Sequence, residues 1–517
     1  MLAGRLPVWP TQEWRTVVAA ALALAGGILA LVDWCQLVVP IQQSFEASGA
    51  AELLLRQVPD MAGLFALPWI GVLGARIAPQ RMLLGAGAFM LGGALVMAMS
   101  PVISLFVAGV ALLSVGRVIV LSVAVAMVAE AVQDDRRRAS AFATLGMMAP
   151  ALELLAPPLV AWLLGHIGWR AVSGVWIGAG VVVLLASRLA CAGVRNPPAV
   201  VRKPWAPLMM GLALVGFVQW LSAWAQGGIL SIPSLAWLSV AVTAGVIWRL
   251  LLVPEGAANA LDRVIRAPGL APMLVVQVLG QCTNLWFFVF VIDRYVHSQT
   301  PLHSALIALP AQVAGLLGAR AVGWLSPRIG LRRTGTLFLA MQAVSFFAAC
   351  VQTVELSIVV TAGILVVYGF FCTGSFVCLS RGVMDTAPVG AEQPVSSYRT
   401  MAGGIGSAIG TLVINMALVG AMSRSMHREA QERGHAAETT RALVEAVRNN
   451  TPNLQIAEEL GLDETMLADL RAMRRQVIVD GFRAQAFTCG LVIAAGAAGF
   501  WLFRKDPPSV AVGEAVR

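Results

Sequence analysis

Runs of about twenty apolar residues alternate with short polar or basic breaks along nearly the whole chain. They fall at 16–39, 54–75, 82–100, 103–129, 141–164, 171–190, 207–226, 233–253, 270–292, 304–325, 334–351, 356–380, 399–422 and 482–503. A bilayer core of about 30 Å is crossed by roughly 20 apolar residues in a helix, so the pattern predicts fourteen transmembrane helices. Composition agrees: 58% of the 517 residues are hydrophobic and only 12% charged, against about 25% charged in soluble domains. The fold class expected is an all-α polytopic membrane protein.

The formal charge of +9 acquires meaning from its position along the chain. With the N-terminus inside, the inside segments carry Arg5, Arg15, Arg76, Arg81, the run Arg136 to Arg138, Arg188, Arg195, Arg202 and Lys203. Further along they carry Arg249, Arg263, Arg266, Arg328, Arg332, Arg333, Arg381, Arg399, Arg504, Lys505 and Arg517. The short outside loops hold only Arg56, Arg170 and Arg294. This bias follows the positive-inside rule and places both termini in the cytoplasm. It also reads the basic residues as topology markers, which excludes nucleic acid as a partner and makes the lipid bilayer the first one. The 16–39 run is too long for a signal-peptide core and is expected to be retained. The polar stretch 424–480 falls outside, and Thr451-Pro452 predicts the start of an amphipathic helical hairpin there.

The seven cysteines are scattered through apolar runs without metal or disulfide spacing, and the five histidines lie in loops or the outer segment. No metal or cofactor is expected. With no P-loop, no GxSxG elbow and no HxxxxD pattern, the chain is not read as an enzyme, and ATP is excluded as its energy source.

Two stretches half a chain apart share a register: GVLGARIAPQR from Gly71 to Arg81, and GWLSPRIGLRR from Gly323 to Arg333. Each ends one span and leads into the next. Gly71 and Gly323 permit close helix approach, while Arg76, Arg81, Arg328 and Arg333 sit at headgroup level. Repetition at this scale marks a transporter built from two similar bundles with a substrate site between them.

Side chains that ionise inside the bilayer cost about 2.5–3.5 kcal/mol on insertion scales, so they usually face a cavity or a partner. Asp33 lies in the outer half of the first predicted span, Arg117 near the middle of the fourth and Glu153 near the middle of the fifth. Pro157, four residues after Glu153, frees the Glu153 carbonyl and permits bending beside the acid. A structural ion pair of Arg117 with Asp33 or Glu153 is the plainer alternative. Asp60, one helical turn from Arg56, reads as half of a local pair. Gln277, Gln281 and Asn284 form a stripe on the ninth span, with Gln312 and Tyr368 on the tenth and twelfth. These five are candidates for the cavity or for packing between helices.

The two repeated stretches resemble the loop signature of the major facilitator superfamily, with Ala75 and Pro327 where its aspartate stands. The chain is similar in particular to the fourteen-span drug:proton antiporters of the EmrB/QacA type. Asp33 with Pro40, Pro157 followed by Trp169-Arg170, LALVGFVQWLSAWAQGG in the seventh span and RTMAGGIGSAIG from Arg399 to Gly410 carry that likeness. The resemblance implies two six-helix bundles plus two extra central helices. Residues 1–200 would form the first bundle, 201–266 the two linker spans and 267–423 five helices of the second. Residues 424–481 would form an extracytoplasmic helical loop, and 482–517 the last span and tail. It implies proton-coupled efflux of small amphipathic compounds across a bacterial inner membrane, with Asp33 and Glu153 as the protonatable pair and Arg117 holding one of them ionised. A periplasmic adaptor protein is a conceivable further partner. An uncoupled facilitator or importer of the same fold, and a non-transporting scaffold or receptor, are the alternatives.

Overall fold

A computed structural model describes residues 10–32, 34–47, 50–74, 76–190, 205–252, 267–282, 301–355, 357–434, 440, 443–444 and 464–504. Among these the chain is helical, because a segment inside hydrocarbon must satisfy its own backbone donors and acceptors. The first helices are α1 (Thr11–Leu29), α2 (Trp34–Ser44), α3 (Ala50–Gly74), α4 (Pro79–Met99), α5 (Ile103–Ala131), α6 (Asp135–Glu153), α7 (Ala156–His166) and α8 (Trp169–Leu189). The hairpin α9 (Trp205–Gly227) and α10 (Ile232–Leu252) follows. The rest are α11 (Leu270–Gln281), α12 (Pro301–Ile329), α13 (Leu331–Ala349), α14 (Ile358–Met384), α15 (Glu392–Glu432) and α16 (Glu464–Phe503). Ten are long and apolar enough to cross a membrane, α6 with α7 counted once. Helices α1 with α2, α3, α11 and α13 overlie the four other predicted segments.

Helices α1 to α8 form one bundle and α11 to α16 a second. They meet where α3 and α5 pack on α15, and where α6 packs on α12 and α14. Small residues set the tightest approaches within a bundle. A Cβ on Gly369 of α14 would stand 2.2 Å from the Ala311 carbonyl oxygen, so only glycine lets α12 and α14 touch backbone to backbone there. The hairpin α9–α10 lies outside both bundles, α9 resting on α3 and α15 and α10 chiefly on α9.

Three predicted boundaries move. The continuous first span breaks after Leu29, with Leu31 at φ 60°. Chain direction changes there so that Trp34 of α2 can stack on Phe106 at 6.3 Å and meet Trp176 at 6.2 Å. Apolar length carries no mark of such a break, since hydropathy stays high on both sides of it. The fifth span is likewise two helices. Pro157 and Pro158 lack the donors that the carbonyls of Glu153 and Leu154 would need, and α6 stops at Glu153.

At the other end of the chain the expected outer segment begins as continuous helix. Helix α15 runs unbroken from the membrane to Glu432, and α16 starts eighteen residues before the predicted span, at Glu464. Together they form a two-helix stalk around a small core of Met426, Ala430, Leu470, Met473 and Val477. Asp480 accepts from Ser425 at 2.6 Å and from Arg428 at 3.0 Å, and Arg433 pairs with Asp469. Hydropathy falls at the membrane edge while helical periodicity continues, so an apolar window ends the span too early. Of the hairpin expected over 453–476, residues 453–463 lie outside the described residues, and residues 464–476 are the opening turns of α16, continuous with the last span.

Candidate functional site

Between the bundles lies a cavity of about 710 Å³, within the few hundred to 1,000 Å³ of small-molecule sites. Its walls come from α1, α3, α5 and α6 on one side, from α11, α14 and α15 on the other, and from α9 across the gap. They are mostly apolar, with Leu64, Leu67, Val118, Leu121, Phe142 and Phe376 among them. Helix α9 contributes Gln219 and Ser222, and Gln57 of α3 donates to Ser222 Oγ at 3.0 Å, tying the hairpin to the cavity rim.

The arginine-rich end of the molecule is shut in two layers. In the inner one, Ser122 of α5 bonds Ser397 Oγ of α15 at 2.9 Å, accepts from Gln393 at 3.0 Å and receives Ser396 Oγ on its carbonyl at 2.7 Å. In the outer one, Arg381 of α14 pairs with Asp135 at the start of α6, and Asp385 forms an ion pair with Arg138 of α6 at 3.2 Å and accepts from Arg504 after α16 at 2.8 Å. The outer layer thus joins α6 of the first bundle to the ends of α14 and α16 in the second.

The repeated stretches take part in this closure reciprocally. A Cβ on Gly71 of α3 would meet Ser397 of the second bundle at 3.3 Å, and one on Gly323 of α12 would meet Ala143 of the first at 2.8 Å. Each copy therefore supplies the small residue by which its bundle leans on the other. Arg76, Arg81 and Arg333 are exposed at the same end, and Arg328 stacks on Trp324 with its guanidinium carbon 3.9 Å from the ring centre.

Of the ionisable candidates, Arg117 lines the cavity, Asp33 lies outside the described residues, and Glu153 belongs to a separate contact. Glu153 Oε2 accepts from Gln312 Nε2 at 2.5 Å, joining the end of α6 to α12. Its charge is felt by Cys372 of α14, whose thiol bonds Tyr368 Oη at 3.3 Å. So Gln312 and Tyr368, expected in the cavity, stand with Glu153 instead, Tyr368 buried edge-on against Phe346. Gln277 and Gln281 do line the cavity, while Asn284 lies outside the described residues. Pro157 sits in the first turn of α7 beside the Glu153 break.

The acid that shares the cavity with Arg117 is Asp60, on α3, whose carboxylate is open to the cavity and attracts the guanidinium on α5. The reading of Asp60 as half of a local pair missed this, because the helix rotation that turns Asp60 inward is a packing property. The charge pattern likewise reads Arg399 as an inside-loop charge. It lies within α15, 5% exposed, on the cavity wall. Its place at the head of RTMAGGIGSAIG, an apolar small-residue run, was the available signal.

A sequence profile described as Major Facilitator Superfamily matches residues 61–411. The chain is 23% identical over 456 residues to the methyl viologen resistance protein SmvA of Salmonella typhimurium, covering 85% of this chain and 90% of that protein. Among solved structures it is similar to the human organic anion transporter MFSD10 (TETRAN), at TM-score 0.59 and 14% identity, over 95% of this chain and 100% of that one. The proton:xylose symporter XylE is similar at TM-score 0.59 and 12% identity, over 96% of each chain. At these identities the two structures bear on the fold alone.

Proposed function

Because this chain belongs to the Major Facilitator Superfamily, and so is a membrane transporter of small molecules and not an enzyme, we propose that it exports small amphipathic compounds by proton-driven alternating access. The observation that carries the reading is the largely apolar 710 Å³ cavity between two bundles, shut at one end by reciprocal glycine contacts and an ion-pair latch. A chamber sealed at one end and placed at the bundle interface is what rocking bundles require. The likeness to a protein named for methyl viologen resistance favours export. The fourteen-span count, the EmrB/QacA type and a bacterial inner membrane belong to the same proposal. The positive-inside rule assigns the latched, arginine-rich end and both termini to the cytoplasm, so the cavity is in its outward state.

In this reading Glu153 is the coupling acid. It sits in the α6–α12 contact between bundles, held by Gln312, and that contact must rearrange when the bundles rock. A carboxylate moving within the membrane is costly when ionised and cheap when protonated, so proton uptake from outside permits the return stroke. Asp33 remains the second coupling candidate. One proton crossing about 150 mV supplies about 3.4 kcal/mol, roughly a 300-fold gradient of a neutral solute. In proteoliposomes with an imposed pH gradient, Glu153→Gln is expected to abolish uphill flux while leaving exchange down a gradient. Unchanged uphill flux in Glu153→Gln and Asp33→Asn alike sinks the assignment.

An uncoupled facilitator is the second reading. The substitution of Ala75 and Pro327 for the loop acids favours it, and wild-type flux indifferent to the pH gradient would establish it. A periplasmic adaptor is a partner only on the strength of the stalk, and flux retained after replacement of residues 424–480 by a short linker would place the stalk outside the transport cycle.

A further inference from the structure

The charge of the cavity wall names a substrate class that the family does not fix. Among the described residues three ionisable groups line the cavity: Asp60, Arg117 and Arg399. The remaining polar lining is neutral amide and hydroxyl. With Asp60 ionised opposite Arg117 the wall keeps one positive charge, and with Asp60 neutral it keeps two.

The charge kept in both cases belongs to Arg399. Its guanidinium donates to Ser380 Oγ at 3.2 Å, to the Leu121 carbonyl at 3.1 Å and to Thr400 Oγ1 at 3.4 Å, all neutral acceptors. Nε is buried with no hydrogen-bond partner, and among the described residues no carboxylate pairs with the group. A cation enclosed by protein and matched only by dipoles is expensive, and a counter-ion brought in by a ligand recovers that cost. The neighbouring wall is apolar, formed by Leu121, Phe142, Phe376 and Val377.

We propose that the cavity selects amphipathic organic anions, the anionic group seated at Arg399 of α15 and the apolar body against α5, α6 and α14. The inference rests on the efflux reading of the same cavity and names its substrate. It runs against the cationic compound for which the curated relative is named. A merely structural Arg399, tying α15 to α5 and α14, would give stability without charge selectivity, since a neutral amide can make similar bonds.

The test is equilibrium binding to the purified full chain in detergent at pH 7.4, which needs no gradient and so is untouched if proton coupling fails. Three fluorescent probes share one body: dansylglycine, its methyl ester, and the dansyl amide of aminoethyl-trimethylammonium. The expected order is carboxylate, ester, ammonium, with the carboxylate at least tenfold tighter than the ester. Arg399→Gln is expected to shrink that advantage to within twofold, and Arg399→Lys to keep most of it. Tightest binding of the ammonium probe, or a carboxylate advantage undiminished in Arg399→Gln, overturns the inference while leaving efflux standing. Binding of none of the three removes the amphipath reading and the inference together. If Arg399→Gln does not fold, the wild-type order alone decides, because an ester that binds as well as the carboxylate is equally fatal.

Discussion

Arg117 and Asp60 are held on different helices yet face one cavity, so each is the other's main counter-charge inside the membrane. Removing either leaves a charge that the wall does not offset. We expect Asp60→Asn and Arg117→Gln each to lower the melting temperature, and the double variant to lose less than the sum, with a coupling of roughly 0.5–3 kcal/mol. Additivity within about 0.3 kcal/mol would show that the two do not act as a pair. At this scale the sequence was half legible. The cost of burying charge singled out Arg117 and Glu153, and the stripe of Gln277 and Gln281 does reach the cavity. Asp60 and Arg399 escaped because hydropathy ranks residues by depth alone. Whether Asp60 faces Arg56 or Arg117, and whether Arg399 caps a span or lies within it, depends on rotation and register that only packing determines.

Helices in this chain are placed by apolar length and finished by packing. Length alone located every helix to within a few residues where both ends are polar, as for α8, predicted at 171–190 and found at Trp169–Leu189. It failed where the end is not a change of solvent: at the α1–α2 break, which aromatic contacts impose, and at the stalk, where helix outlives hydrophobicity. The repeated stretch was legible as a repeat, but its purpose emerges only from contact. Gly323 faces Ala143, a side chain with no rotamer by which to yield, so Gly323→Val should wedge α12 from α6 at the latched end. In a cysteine-free background, Ser397→Cys, buried against Ser122, is expected to react slowly with a polar thiol reagent applied from the arginine-rich side. Adding Gly323→Val should speed that reaction several-fold. An unchanged rate would mean the glycine is tolerance, not a contact on which closure depends.

The molecule as a whole holds one end shut with two unlike layers. The inner serine and glutamine bonds are short, neutral and buried, whereas the outer layer concentrates on one carboxylate. Asp385 meets Arg138 of the first bundle, Arg504 after the last helix and, at 3.7 Å, Arg381 of its own helix. These side chains are 15% exposed or less, so salt screens them less than it would surface pairs. Neutralising Asp385 leaves three arginines facing one another with Asp135 as the remaining paired acid among the described residues, which weakens the attraction between bundles. A loss of only about 1.4 kcal/mol in the closed state multiplies the open population tenfold. Spin labels at Arg81 and Arg333, both exposed at this end and one in each bundle, report the separation directly. Asp385→Asn is expected to add a longer-distance component to the pulsed electron resonance distribution, larger at low ionic strength where the freed arginines repel most. A distribution identical to that of the unmutated pair would assign closure to the Ser122 and Ser397 layer alone, with the ion pairs as a consequence of bundle contact and not its cause.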